Sequence, residues 1–172
     1  MAAETFYEKL DTMAQEQRFL CVGLDPDLSK LPTNLDNPHA SPADQALRYM
    51  QEVVAQTADI AGAYKPNSAF YEQYGPEGAF ALRGLIDFIK DAAPEVPVIL
   101  DGKRGDIGNT NNGYVAAHYD GQDADALTIN PYLGSVANSP FLGRKDKGVI
   151  VLARTSNPGA AEFQMSQSMQ GI

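Results

Sequence analysis

A short apolar run, Val98-Ile99-Leu100, is followed by the charged stretch Asp101-Gly102-Lys103-Arg104-Gly105-Asp106-Ile107. The apolar run reads as a buried strand, which places Asp101, Lys103 and Asp106 where it leaves the core. Charge at the mouth of a buried strand is costly unless it is paired, and alternating signs in so short a space supply the pairing. Fixed charges of both signs, held in place, can stabilise charge that develops in a transition state. A lysine among them can also deliver a proton. Taken alone, the Asp-x-Lys-x-x-Asp spacing is more often a solvated surface or a structural ion pair, so the surrounding elements must decide.

Two earlier segments end the same way. Phe19-Leu20-Cys21-Val22-Gly23-Leu24 runs into Asp25, and Ile60-Ala61-Gly62-Ala63-Tyr64 runs into Lys65. Ala126-Leu127-Thr128-Ile129 and Gly148-Val149-Ile150-Val151-Leu152-Ala153 read as two further strands. A helical pattern over residues 3–17 precedes the first of these strands, and others lie between them, from the Ser41 cap onward, over 78–90 and over 109–119. Ser41-Pro42-Ala43-Asp44 is a strong helix start, with a cap, a proline in the first helical position and an acid in the first turn. Asp106 could cap the helix expected near Asn109.

Strands alternating with helices predict an α/β fold with a parallel sheet and right-handed crossovers. Apolar runs predict strands covered on both faces. A doubly wound open sheet would carry a glycine-rich fingerprint after its first strand, and Gly23-Leu24-Asp25-Pro26-Asp27 is none. Successive strand ends at Asp25, Lys65 and Asp101 favour a (β/α)8 barrel, whose functional residues gather at the carboxyl ends of its strands. A whole barrel takes about 250 residues, so the 172 residues here read as a single partial barrel domain of about five β/α units. Residues 161–172, rich in Gln, Ser and Met, are expected as a poorly ordered tail or a truncated helix.

The 44% hydrophobic and 20% charged residues fit a globular protein, and the net charge of −9 argues against nucleic-acid or acidic-membrane partners. No apolar run is long enough to span a bilayer, and no basic region precedes an apolar segment at the N-terminus. Cys21 is the single cysteine, which excludes an internal disulfide, suggests a reducing, cytoplasmic setting and reads as a small buried residue. His39 and His118 read as surface or core residues rather than ligands.

Five segments in order carry a resemblance to a known family. They are Val22-Gly23-Leu24-Asp25-Pro26, Ala63-Tyr64-Lys65-Pro66-Asn67, Leu100-Asp101 through Asn109-Thr110, Thr128-Ile129-Asn130-Pro131-Tyr132, and Leu152-Ala153-Arg154-Thr155-Ser156-Asn157-Pro158-Gly159. The chain resembles the orotidine 5′-phosphate decarboxylases, in their longer bacterial-type branch. The resemblance implies removal of CO2 from orotidine 5′-phosphate to give uridine 5′-monophosphate, with no metal and no organic cofactor. It assigns a Lys–Asp–Lys–Asp array to Lys65, Asp101, Lys103 and Asp106, with Lys103 as the proton donor to C6 of the pyrimidine. Asp101 would hold Lys103 beside the departing carboxylate, and Lys65 would bridge Asp101 and the ribose. Asp106 would reach the neighbouring subunit's site in a homodimer, accompanied by Ile107 and Thr110. Asp25 would bind the ribose and Ser156 the pyrimidine ring.

Some assignments stay open on the residues themselves. Thr155-Ser156-Asn157-Pro158-Gly159 would also make a good turn for local reasons. Arg154 could meet the substrate phosphate, an acid or solvent. Asp25, Asp101 and Asp106 could hold Mg²⁺, although two ammonium groups neutralise most of that charge. A Mg²⁺-dependent sugar-phosphate relative on the same barrel shares Asp-x-Lys-x-x-Asp but carries an acid where this chain has Lys65, and a lysine there would expel the metal. A truncated, weak or silent chain of the same family is the other alternative. The family grips the substrate phosphate from loops after later strands, and an open five-stranded sheet would expose an unpaired edge.

Overall fold

A computed structural model describes residues 4–165. Its elements alternate along the chain as α1 (Phe6–Gln15), β1 (Leu20–Gly23), a 3-10 turn (Leu28–Lys30), α2 (Pro42–Ala55), β2 (Ala61–Lys65), α3 (Ala69–Glu72) and α4 (Gly75–Ala92). Then follow β3 (Ile99–Arg104), α5 (Gly108–Val115), a π-helical turn (Ala116–Gly121), β4 (Ala126–Ile129), α6 (Gly134–Ala137), α7 (Ser139–Leu142), β5 (Gly148–Val151) and α8 (Ala160–Gln164). Thr5 opens α1 with a reciprocal capping box to Glu8, and Ser41 caps α2 by accepting from the Asp44 amide.

All strand pairings are parallel, β1 with β2, β3 with β4 and β4 with β5. Bridges Tyr64–Val98 and Asn67–Asp101 join β2 to β3. Strand order therefore follows chain order, without the reversal that marks a doubly wound sheet. The arrangement is the arc of a parallel barrel, with helices on its convex side.

The two faces of the arc carry different cores. Tyr64, Val98, Leu100, Leu127 and Ile129 pack outward with Leu82, Leu85, Ile86 and Ile89 of α4. Ala63, Ile99 and Ala126 face the concave side, where Phe6 of α1 closes the amino-terminal end. Gly148 is required there, because a Cβ would collide with the Phe6 ring. Side chains alternate along a strand, so the concave layer after Ala63, Ile99 and Ala126 is Lys65, Asp101 and Thr128.

The expectation that every strand is covered on both faces holds for β2 and β4, which are buried almost throughout. It fails for β1 and for the end of β5, where Leu20, Ile150 and Val151 are exposed. These are the outer strands of the arc, and among the described residues each lacks a neighbour on one flank. Cys21 is exposed for the same reason and is not the buried residue expected. It borders a groove of about 350 Å³ with Leu10, Met13, Ala63 and Ile99. Part of the 161–172 segment forms α8, and residues 166–172 lie outside the described residues.

Candidate active site

The three concave-side residues at the carboxyl ends of β2, β3 and β4 meet through one carboxylate. Asp101 Oδ2 accepts from Lys65 Nζ at 3.2 Å, while Oδ1 accepts from Lys103 Nζ at 2.7 Å and from the Thr128 hydroxyl at 2.8 Å. Burial works against ionisation of Asp101, but the donors from Lys103, Thr128 and Lys65 outweigh it and hold the carboxyl below its ordinary pKa. The Asp101 side chain is 12% exposed, against 33% for Lys65 and 48% for Lys103. The negative charge is thus enclosed, while the Lys103 side chain stays half exposed at the carboxyl end of β3.

β3 departs from regular pairing at this point. Leu100 pairs with Leu127 and Arg104 with Ile129, so Asp101, Gly102 and Lys103 together oppose Thr128. Lys103 takes a φ of +47°, a left-handed backbone that costs a residue other than glycine about 1–3 kcal/mol. Its amide, displaced from the ladder, donates to Thr128 Oγ1 at 2.9 Å. Arg104 turns away: it meets Glu72, donates to His118 Nε2 at 3.1 Å and lies over the Tyr114 ring. The two adjacent basic residues therefore serve opposite sides of the strand.

The remaining expected residues surround this core without joining it. Asp25 accepts from the Asn67 amide at 3.2 Å, which ties the ends of β1 and β2. Asp106 lies beyond the turn at Gly105, where a Cβ would press on the Asn130 carbonyl. It accepts from the amide of Ile107 at 2.6 Å, and its backbone is bracketed by Asn111. Ile107 is itself the N-cap of α5 and the helix has no side-chain cap, so Asp106 does not cap it as its spacing allowed. Ile107 and Thr110 are exposed at the start of α5. Ser156 is exposed in the loop after β5, which is braced by hydrogen bonds between Thr155 and Gln164.

Thr128 is the residue that sequence reasoning missed. It appeared only as part of a resembling segment, although a hydroxyl in an otherwise apolar strand at an inward position was a usable signal. Next to this end of the barrel, Asn130, Tyr132, Leu152 and Phe163 line a concavity of about 490 Å³. Among the described residues no three His, Cys, Asp or Glu side chains converge where a metal ion could be held. No described helix is long and apolar enough to cross a membrane.

Residues 18–172 match the family described as orotidine 5′-phosphate decarboxylase / HUMPS. An orotidine 5′-phosphate decarboxylase of Thermomicrobium roseum is 46% identical over 161 residues, 93% of this chain and 55% of that relative. One from Porphyromonas gingivalis is 40% identical over 97% of this chain and 59% of its own length. Among solved structures, the OMP decarboxylase of Leishmania donovani superposes with a TM-score of 0.82 at 37% identity, covering 97% of this chain and 60% of that one. The chain thus spans little more than half the length of the curated relatives it matches.

Proposed function

The chain belongs to the orotidine 5′-phosphate decarboxylase / HUMPS family, and from that premise we propose that its charge array decarboxylates orotidine 5′-phosphate to uridine 5′-monophosphate. The observation that carries this reading is the single carboxylate of Asp101 held between two ammonium groups, one of them half exposed. Breaking the bond from C6 to the carboxylate releases CO2 and leaves the electron pair on C6. Lys103 faces that pair, stabilises it by its charge and transfers an Nζ proton to C6. Asp101 fixes Lys103 and lies near the departing carboxylate. Lys65 orients Asp101 and meets the ribose hydroxyls, with Asp25 as a further ribose contact and Ser156 as the contact to the ring.

The hydrogen bonds of Asp106 run to Ile107 and Asn111 rather than to the Lys65–Asp101–Lys103 cluster, and the family resemblance assigns Asp106, Ile107 and Thr110 to a second copy's site in a homodimer. The Lys–Asp–Lys–Asp array would then be completed across the interface. The single cysteine supports a cytoplasmic setting. A second reading, a weak or silent chain of this family, draws on the exposed residues of β1 and β5, the outer strands among the described residues.

Decarboxylation of orotidine 5′-phosphate, followed by ultraviolet absorbance with EDTA present, separates the readings. Turnover by wild type that Lys103→Ala abolishes is the expected result. A folded wild-type chain without turnover would favour the silent reading.

A further inference from the structure

We propose that Thr128 is the positioning residue of the array: its one hydroxyl fixes both ends of Lys103, the backbone directly and the ammonium through Asp101. The inference rests on the decarboxylase reading for its kinetic consequence, though not for its structural one.

The hydrogen bonds form a closed ring. The Lys103 amide donates to Thr128 Oγ1 at 2.9 Å, the Thr128 hydroxyl donates to Asp101 Oδ1 at 2.8 Å, and Lys103 Nζ donates to that same oxygen at 2.7 Å. A hydroxyl can accept and donate at once, which neither a valine nor a second carboxylate could do in this place. The irregular register makes the hydroxyl necessary. With Asp101, Gly102 and Lys103 opposite one residue of β4, the Lys103 amide has lost the carbonyl a regular ladder would offer. Thr128 supplies the missing acceptor and stabilises the left-handed turn that aims Lys103 inward.

The position is rigid on every side. Thr128 is 6% exposed, and its neighbours Leu127 and Ile129 are buried against the helices. Asp101 is anchored through its own backbone as well, donating to the Pro66 carbonyl at 2.9 Å and accepting from the Ser68 amide at 3.3 Å. Thr128 therefore holds the long, half-exposed Lys103 against a carboxylate that cannot itself drift. The flexible partner gains most from such a restraint, because a misplaced catalytic group loses rate without losing binding.

Wild type, Thr128→Val and Thr128→Ser test this directly. Valine keeps the shape and removes the hydroxyl, while serine keeps the hydroxyl. Carbon NMR of the aspartate carboxyls, with Asp101→Asn for assignment, should show Asp101 titrating at higher pH in Thr128→Val and near the wild-type value in Thr128→Ser. With orotidine 5′-phosphate, kcat should fall about 10- to 100-fold in Thr128→Val, with KM close to wild type and activity restored by serine. A folded Thr128→Val protein with unchanged Asp101 titration would overturn the proposal, whatever its melting temperature. Should valine prevent folding, Thr128→Ala against Thr128→Ser gives the same comparison. Failure of wild type to turn over the substrate would count against the decarboxylase reading alone, since the titration still decides for Thr128.

Discussion

The molecule builds two lysine–aspartate clusters at opposite ends of the same strands, and they spend their charges differently. At the amino-terminal ends, Asp125 accepts from the Val98 amide at 2.8 Å and from Lys9 Nζ at 3.4 Å, while Lys9 also donates to the Pro94 carbonyl at 3.0 Å. Lys90 and Lys147 both donate to Asp123, at 2.6 and 3.3 Å. The three lysine side chains are largely enclosed, with Lys9 at 10%, Lys147 at 12% and Lys90 at 24% exposure, while Asp123 is 47% exposed; their hydrogen bonds tie α1, the approach to β3 and the loops before β4 and β5. At the carboxyl ends one carboxylate serves two lysines, and Lys103 remains 48% exposed. In the first cluster every lysine is largely enclosed against a carboxylate. The second keeps one ammonium half exposed, and on the proposed reading that availability, rather than residue type, distinguishes it.

Breaking each cluster should therefore give opposite signatures. Lys103→Ala should lower decarboxylation by more than about 10³-fold while changing unfolding free energy by less than about 1 kcal/mol, since its pair is half in solvent. Asp125→Ala should do the reverse. It leaves the Val98 amide without its acceptor and the buried Lys9 ammonium without its counter-charge, at a cost of about 3–5 kcal/mol in urea unfolding. A cost near zero would show that the amino-terminal cluster is not structural. Thr5→Ala loosens the helix that carries Lys9 and Phe6, and should cost about 1 kcal/mol by the same measurement.

A smaller effect sharpens the comparison through pH. The folded state holds Asp101 and Asp123 below the ordinary carboxylate pKa, in each case against burial and through their lysine partners. A group depressed on folding contributes stability above its unfolded pKa, and the contribution is lost as pH falls through the folded value. Thermal melts of wild type should therefore weaken on acidification below the ordinary carboxylate range. Asp101→Asn and Asp123→Asn should each flatten that decline in part, and an unchanged slope in both would contradict the assigned pairing.

Much of this was readable from residue types alone. Apolar runs ending in Asp25, Lys65 and Asp101 gave the strands and their carboxyl ends, because burial and period-two alternation are local properties. Ser41-Pro42 marked a helix start for the same reason. What escaped depends on register and long-range packing. The β3 irregularity and the left-handed Lys103 arise only when Leu100 and Arg104 find their partners on β4. The role of Thr128 follows from that register. The amino-terminal cluster draws its residues from α1, α4 and the loops before β4 and β5, so no local spacing announces it. Cys21 looked buried because its neighbours are apolar, yet exposure is set by what lies across the strand, and among the described residues β1 is an outer one.

The most direct test compares decarboxylation of orotidine 5′-phosphate by wild type, Lys103→Ala and Lys90→Met, all in EDTA. Wild type and Lys90→Met should turn over at similar rates, and Lys103→Ala should be inactive though folded. Equal rates for wild type and Lys103→Ala would contradict the account, because the available ammonium would then have no part in the chemistry.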